Sequence, residues 1–329
     1  MGIEQLPYAH FCFRMASQAM SVDVDEVALV GRWLVRDEVA ERDLDIDVVP
    51  PTMRERVGPG NASCAVSYRE ALQGVPSGPE RDLLLFVLMK ALRGLRRQAD
   101  LLRFPRKGVL AIKDRKGNFH SSFETVFQEI LFESLDTLTE IRRNGSGLNL
   151  VGADLLYGSA MDLVPDLRPE GYDLVVTSPP YLNGFDYLRE YEGEHWCLGL
   201  GVREMAEVAG SLVPTMVNPM DRGVSPDPVL RKALGRNVRI PGTATLYFQY
   251  LDRLFGELHA KLERGAEVFL VVDDLIIDGN EVPVAQTLSS LAGSAGFRVE
   301  AIYTDSPRGP SEGLGFERHL TKVCHWEKK

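Results

Sequence analysis

Apolar residues in the first half of the chain recur at the three-and-four spacing of a helix. Over 80–100, Leu83, Leu84, Phe86, Val87, Leu88, Ala91, Leu92 and Leu95 form one stripe, and arginines gather at its C-terminal end. Cations there suit the helix dipole, so the spacing predicts a long amphipathic helix. A second is predicted over 123–143, with Phe123, Val126, Phe127, Ile130, Leu131, Leu135 and Leu138 inside. A shorter one is predicted over 25–41, on Val27, Leu29, Val30, Trp33, Leu34 and Val39. Between these, 48–79 is rich in Pro, Gly and Ser and reads as a long loop or linker. The stretch 104–119 reads as an exposed, basic loop.

After Asn144 the period changes. Short apolar runs at 149–157 and 172–177 are broken by Gly, Pro and Asp. A helix is predicted over 246–262, a strand over 267–272, and a helix over 284–295 that stops at Gly296. The stretches 298–304 and 321–326 alternate as strands do. Strands alternating with helices predict an open, doubly wound α/β sheet. The last two strands are joined by a Gly/Pro-rich segment without helical periodicity, which predicts an antiparallel hairpin at the sheet edge.

One strand runs directly into a rigid polar turn: Asp173-Leu-Val-Val-Thr177-Ser178-Pro179-Pro180-Tyr181. Ligand sites in open α/β sheets lie at the carboxyl ends of the strands. Two consecutive prolines fix φ and remove two backbone donors, which leaves carbonyls that only accept. A hydroxyl precedes them and an aromatic ring follows. That set suits a flipped-out base with an exocyclic amine: the Ser178 oxygen and the Pro179 carbonyl accept the amine hydrogens, and Tyr181 stacks on the ring. The competing reading is a structural Pro-Pro turn after a core strand.

This motif, with Leu182-Asn183-Gly-Phe-Asp186-Tyr187 and His195-Trp196-Cys197-Leu198-Gly199 after it, resembles site-specific DNA methyltransferases of the N4-cytosine/N6-adenine type. The Ser-Pro-Pro-Tyr form is the commoner one among the N4-cytosine enzymes. Gly158-Ser159-Ala160-Met161-Asp162-Leu163 is similar to the segment before the family's catalytic strand, and 267–274 with 282–284 to the strand and helix after it. The resemblance covers about 80–329. It implies a Rossmann-like S-adenosylmethionine-dependent methyltransferase sheet with a helical N-terminal region. Together with the pattern along the chain it divides the sequence into three parts: an N-terminal helical and linker region at 1–79, a candidate subunit interface; a helical insertion with a basic loop at 80–145; and the methyltransferase α/β catalytic domain at 146–329. Ser178, Pro179, Pro180 and Tyr181 take the catalytic positions. Ser159, Asp162 and Thr177 are the candidates for contact with S-adenosylmethionine. Asn183, Asp186 and Tyr187 line the base pocket or, alternatively, cap the next helix.

The family's glycine-rich cofactor loop has no counterpart behind a strand. Gly145-Ser-Gly147, Gly58-Pro-Gly60 and Gly313-Leu-Gly315 all lack that setting. The chain therefore reads as the catalytic-motif half of a split enzyme, with a second protein subunit supplying the glycine-rich motif. The competing readings are an RNA methyltransferase and a non-catalytic DNA-binding or scaffold subunit.

Charge complicates the choice of partner. Lys and Arg total 37 against 47 Asp and Glu, a net charge of -10, which opposes stand-alone DNA binding by a phosphate-neutralising surface. A basic run does exist at 90–116. Arg106, Lys107, Lys113, Arg115 and Lys116 within it are candidate DNA contacts, and a solvated helix face is the plain alternative. The stretch 201–244, with Arg222, Arg231, Lys232, Arg236 and Arg239, is the place for target recognition or else a surface loop. The four cysteines are scattered, and no histidine spacing fits a metal. A reducing cytoplasm, with no signal peptide and no membrane span, is the expected setting.

Overall fold

The computed structural model describes residues 1–35, 45–103, 122–144, 153–182, 186–213, 228–234, 240–277, 280–304 and 321–329. In chain order its strands and helices are β1 (Gly2–Glu4), α1 (Pro7–Gln18), α2 (Val24–Leu34), α3 (Pro51–Val57), α4 (Pro59–Gln73), α5 (Pro79–Arg103), α6 (Phe123–Asn144), β2 (Leu155–Tyr157), α7 (Ala160–Leu163), β3 (Tyr172–Thr177), α8 (Tyr187–Glu190), α9 (Glu192–Cys197), α10 (Val202–Ser211), α11 (Pro228–Leu234), α12 (Gly242–Lys261), β4 (Leu262–Asp273), β5 (Leu275–Ile277), β6 (Asn280–Val282), α13 (Val284–Ser294), β7 (Phe297–Thr304) and β8 (Thr321–Lys328). They form two compact units. One is Met1–Tyr157 with Leu188–Gly210, and the other is Gly158–Tyr187 with Ser211–Lys329.

The first unit is helical, apart from the short parallel pair β1–β2. Its core is the α5 stripe predicted from the sequence: Leu84, Val87, Leu88 and Ala91 pack with Val27 and Leu34 of α2, Leu72 of α4 and Phe127 of α6. Tyr68 stands edge-on to Phe123 and Phe127, with centroids 5.1 and 5.0 Å away. At Gly31 a Cβ would overlap the Leu131 side chain, so glycine lets α2 and α6 approach. Asp23 caps α2 by accepting the Asp25 and Glu26 amides, each at 3.0 Å.

The linker expected over 48–79 is instead two helices. Pro51 and Pro59 begin α3 and α4, where a missing N–H costs nothing, and Gly58 turns between them at φ +84°. Residues that read as breakers are start signals here. Ala62, Ala65, Val66 and Leu72 then bury a small-residue face. The helix expected over 25–41 runs from Val24 to Leu34, and 36–44 lies outside the described residues.

The second unit holds a four-stranded mixed sheet in the order β3-β4-β8-β7. β3 and β4 are parallel, with Val175 opposite Val268 and Thr177 opposite Leu270. β8 is antiparallel to both β4 and β7. The expected C-terminal hairpin is therefore present, with β7 at the edge and β8 inserted next to β4. β5 and β6 form a separate small hairpin. Val268, Leu270, Val272, Cys324 and Trp326 point to one face, where Phe248, Leu251 and Phe255 of α12 and Leu288 and Leu291 of α13 cover them. Trp326 locks this layer: Phe255 packs on its ring at 4.9 Å, and its indole N–H donates to Ser289 Oγ at 3.1 Å. The other face carries Leu174, Val176 and Tyr303, which are 51%, 68% and 55% exposed. Within this unit α12 and α13 cover one face and leave Leu174, Val176 and Tyr303 exposed on the other, where the expected doubly wound sheet would carry helices on both.

Candidate functional site

β3 ends at Thr177, and the turn follows at once. Ser178 is exposed, Pro179 is buried, and Pro180 and Tyr181 are half-buried. Leu182, 2% exposed, anchors the far side of the turn in the core. The rigid proline pair is thus held at both ends, and the Ser178 hydroxyl stays open to solvent. That hydroxyl donates to the Tyr181 phenol oxygen at 3.1 Å. The Tyr181 amide donates to the phenol oxygen of Tyr187 at 3.4 Å. Tyr187 is therefore brought to the turn from α8, and Asp186 beside it is half-buried.

α12 adds a group that the sequence reading passed over. Tyr247 is fully buried, and its hydroxyl has no hydrogen-bond partner. Burial raises its pKa, and the neighbouring Tyr187 and Tyr181 raise it further. Three phenols thus lie within electrostatic reach of one another, and one of them is a buried, unsatisfied donor. Such a group costs stability unless something satisfies it. Tyr247 reads in sequence as one more apolar position of a helix stripe, so periodicity assigns it to the core and says nothing of its oxygen.

The segment before β3 is ordered by its own contacts. Ser159 is buried, caps α7 by accepting the Met161 amide at 3.3 Å, and shares a 2.9 Å hydrogen bond with the Tyr250 hydroxyl. Asp162 lies exposed in the first turn of α7. Of the two aspartates closing β4, Asp274 has a structural role: its carboxylate accepts the Ala285 amide at 3.1 Å at the start of α13 and lies 3.8 Å from the Lys322 ammonium. Asp273 differs, for its Oδ1 is buried without a partner. β3 and β4 are parallel, so Asp273 and the Ser178–Tyr181 turn both lie at the carboxyl end of the sheet.

The chain is similar to Type II methyltransferases. It is 26% identical over 258 residues to M.AvaI of Nostoc sp. and of Anabaena variabilis, covering 68% of this chain and 52% of theirs. It is 27% identical over 213 residues to M.BsoBI of Geobacillus stearothermophilus, covering 53% of this chain and 42% of that protein. The chain spans about half the length of the curated relatives it matches. No protein-family model matches it. Solved structures of a provisionally described DNA modification methylase from Thermus thermophilus overlap it slightly. They show 16–17% identity and TM-scores of 0.28–0.29 over 52% of this chain and about half of theirs, and one of them is complexed with S-adenosyl-L-methionine.

Of the other sequence-predicted residues, Asn183, Arg106, Lys107, Lys113, Arg115 and Lys116 lie outside the described residues. The described part of the basic run is partly neutralised. Arg93 donates to Glu194 at 2.5 Å, and Arg96 pairs with Glu190. His195 is fully buried, and neither ring nitrogen has a partner. Burial lowers its pKa to about 4, so the ring is neutral and belongs to the core. The expected recognition stretch contains α10 and α11. No helix among the described residues is long and apolar enough to cross a membrane, and none of their side chains group as a metal site.

Proposed function

We propose that the chain is the target-amine-binding part of an S-adenosylmethionine-dependent DNA amino-methyltransferase, with N4 of cytosine favoured over N6 of adenine. The observation that carries this reading is the Ser178-Pro-Pro-Tyr181 turn, held open to solvent at the carboxyl end of β3, in a chain similar to Type II methyltransferases. A flipped base enters at the turn. Ser178 Oγ and the Pro179 carbonyl accept the two amine hydrogens, and both retain lone pairs for that purpose. Tyr181 stacks on the ring, and Tyr187 fixes the Tyr181 backbone through its amide. An amine held this way presents its nitrogen lone pair in one direction, and most of the rate acceleration comes from that positioning. S-adenosylmethionine supplies the electrophilic methyl.

This chain's own residues fit that cofactor only in part. The Ser159 hydroxyl is already engaged by Tyr250 and its own helix cap. Gly58-Pro59-Gly60 is a helix-to-helix turn, and Gly145, Gly147, Gly313 and Gly315 lie outside the described residues. Asp162, Thr177 and the unsatisfied Asp273 oxygen remain as contacts. We assign the rest of the cradle to a second subunit carrying the glycine-rich motif. The bare sheet face at Leu174 and Val176 supports such a neighbour, since exposed apolar patches mark association surfaces.

The test is calorimetric titration of S-adenosylmethionine into the chain alone and then into its mixture with the product of the adjacent gene, followed by transfer of a labelled methyl to DNA or RNA. Binding and DNA labelling in the mixture alone support the split enzyme. Binding to the isolated chain removes the second subunit from the reading. Labelling of RNA alone, or no binding in either case, overturns the DNA methyltransferase reading.

A further inference from the structure

The helical unit holds a polar groove of about 490 Å³, a size typical of small-molecule sites. Its walls include Arg14 of α1, Arg69 and Gln73 of α4, Ser77, and Arg81 and Asp82 of α5. Three guanidinium groups face one carboxylate. Asp82 is taken by Arg14, with Nε to Oδ2 at 3.0 Å and Nη2 to Oδ1 at 3.1 Å. Arg69 and Arg81 have no acidic partner among the described residues. Arg69 lies over the Trp196 ring at 4.5 Å. Arg81 donates from Nη1 to Ser77 Oγ at 3.2 Å, while its Nε is buried with no acceptor. Glu80, close in sequence, is occupied by the Asp23 amide at 2.8 Å. The groove is thus locally cationic in a chain of net charge -10.

A guanidinium stacked on Trp196 and a second one held by Ser77 on the same groove wall make an oxyanion site. The planar fork of arginine matches two phosphate oxygens at once, and charge-assisted hydrogen bonds of this kind are the strong ones. Ser77 and Gly78 stand at the N-terminus of the 25-residue α5, whose first turn already carries the carboxylates of Glu80 and Asp82, so the arginines and not the helix end supply the attraction. We infer that this groove binds a phosphate group through Arg69 and Arg81, and that the phosphate belongs to a nucleic-acid backbone. The source rests on the reading of DNA as substrate; the oxyanion site does not.

The test uses the full chain and two probes: a short fluorescein-labelled DNA duplex followed by anisotropy across a salt series, and inorganic phosphate followed by tryptophan fluorescence, with Trp196 as the reporter under Arg69. The variants are Arg69→Gln with Arg81→Gln, and separately Gln73→Glu. The second places a carboxylate on an exposed position and needs no repacking, so it carries the test if the double variant fails to fold. Expected is a roughly tenfold loss of duplex affinity at low salt, with the slope of log affinity against log salt shallower by about 1. The phosphate response should be lost in both variants. A lost phosphate response with unchanged duplex binding overturns the nucleic-acid source and assigns the site to free phosphate. Unchanged curves with both probes overturn the site itself. Binding is the readout throughout, so failure of methyl transfer would leave this result standing.

Discussion

The two units of this chain differ in where their polar groups stand rather than in whether all of them are satisfied. In the helical unit the buried Glu194 carboxylate is matched by Arg93, whose guanidinium also lies over Tyr191 at 4.6 Å. Burial works against the Arg93 charge, and Glu194 outweighs it, holding the pKa above its ordinary value. In the sheet unit the turn after β3 leaves the Ser178 hydroxyl exposed, the Tyr247 hydroxyl and Asp273 Oδ1 buried without partners, and apolar β3 side chains in solvent. The helical unit also leaves buried polar atoms without partners, on Tyr68, Arg81, Arg142, His195 and Trp196, but in the sheet unit they belong to Tyr247, which neighbours Tyr181 and Tyr187, and to Asp273 at the carboxyl end of the sheet. The proposed chemistry falls in the second because the exposed Ser178 turn stands there at the end of β3. In the first, Arg69 and Arg81 line one polar groove.

The largest expected effect breaks the sheet unit's chemistry alone. Ser178→Ala combined with Tyr181→Ala should lower methyl transfer by roughly a thousandfold, as loss of amine acceptors and stacking requires. Circular dichroism and the melting temperature should stay unchanged. Retained methylation would remove the turn from the mechanism.

Next comes the helical unit's internal pairing. Arg93→Ala leaves Glu194 buried and unmatched, a change that costs about 3–5 kcal/mol. Urea unfolding should show that loss, and a loss below about 1 kcal/mol would mean that water reaches the carboxylate.

His195 gives a pH signature. Its folded pKa, about 4, lies below the ordinary value of 6.5. The unfolded chain therefore binds a proton that the folded chain refuses. Its stability contribution is complete above pH 6.5 and falls away as pH drops towards 4, by up to about 3 kcal/mol. Melting curves across that range should be flatter for His195→Leu than for the parent.

The smallest effect on stability sharpens the comparison most. Leu174→Ser with Val176→Ser should change stability by less than about 0.5 kcal/mol, because both side chains are exposed. The same pair should weaken association with the proposed second subunit in sedimentation. A large loss of stability would show that the chain itself covers this face.

Much of this was legible in the residues. The stripes of α5, α6, α12 and α13, the strand 172–177 and the closing hairpin follow from periodicity and turn chemistry, as does the turn at Ser178. β1 was not legible, because three residues are too few for alternation to register. Nor were α3 and α4, because Pro51, Pro59 and Gly58 signal helix starts as readily as loops. The role of Tyr247 was hidden as well, since a hydroxyl counts as unsatisfied only once its neighbours are known; Asp273 and Asp274 were legible as strand-end candidates, but not which of the two is engaged.

What the chain determines by itself, then, is local: which segments are helix or strand, and a proline-locked turn whose dihedrals and missing donors are set within a few residues. What tertiary structure alone decided is where charges and hydroxyls end. Arg93 and Arg96 lie in the same basic run as the candidate DNA contacts, yet packing against α8 and α9 matches them to Glu190 and Glu194. Arg69 and Arg81, unremarkable in sequence, meet at one groove. The reason is physical: an electrostatic partner across many tens of residues is chosen by folding, and no local pattern encodes it.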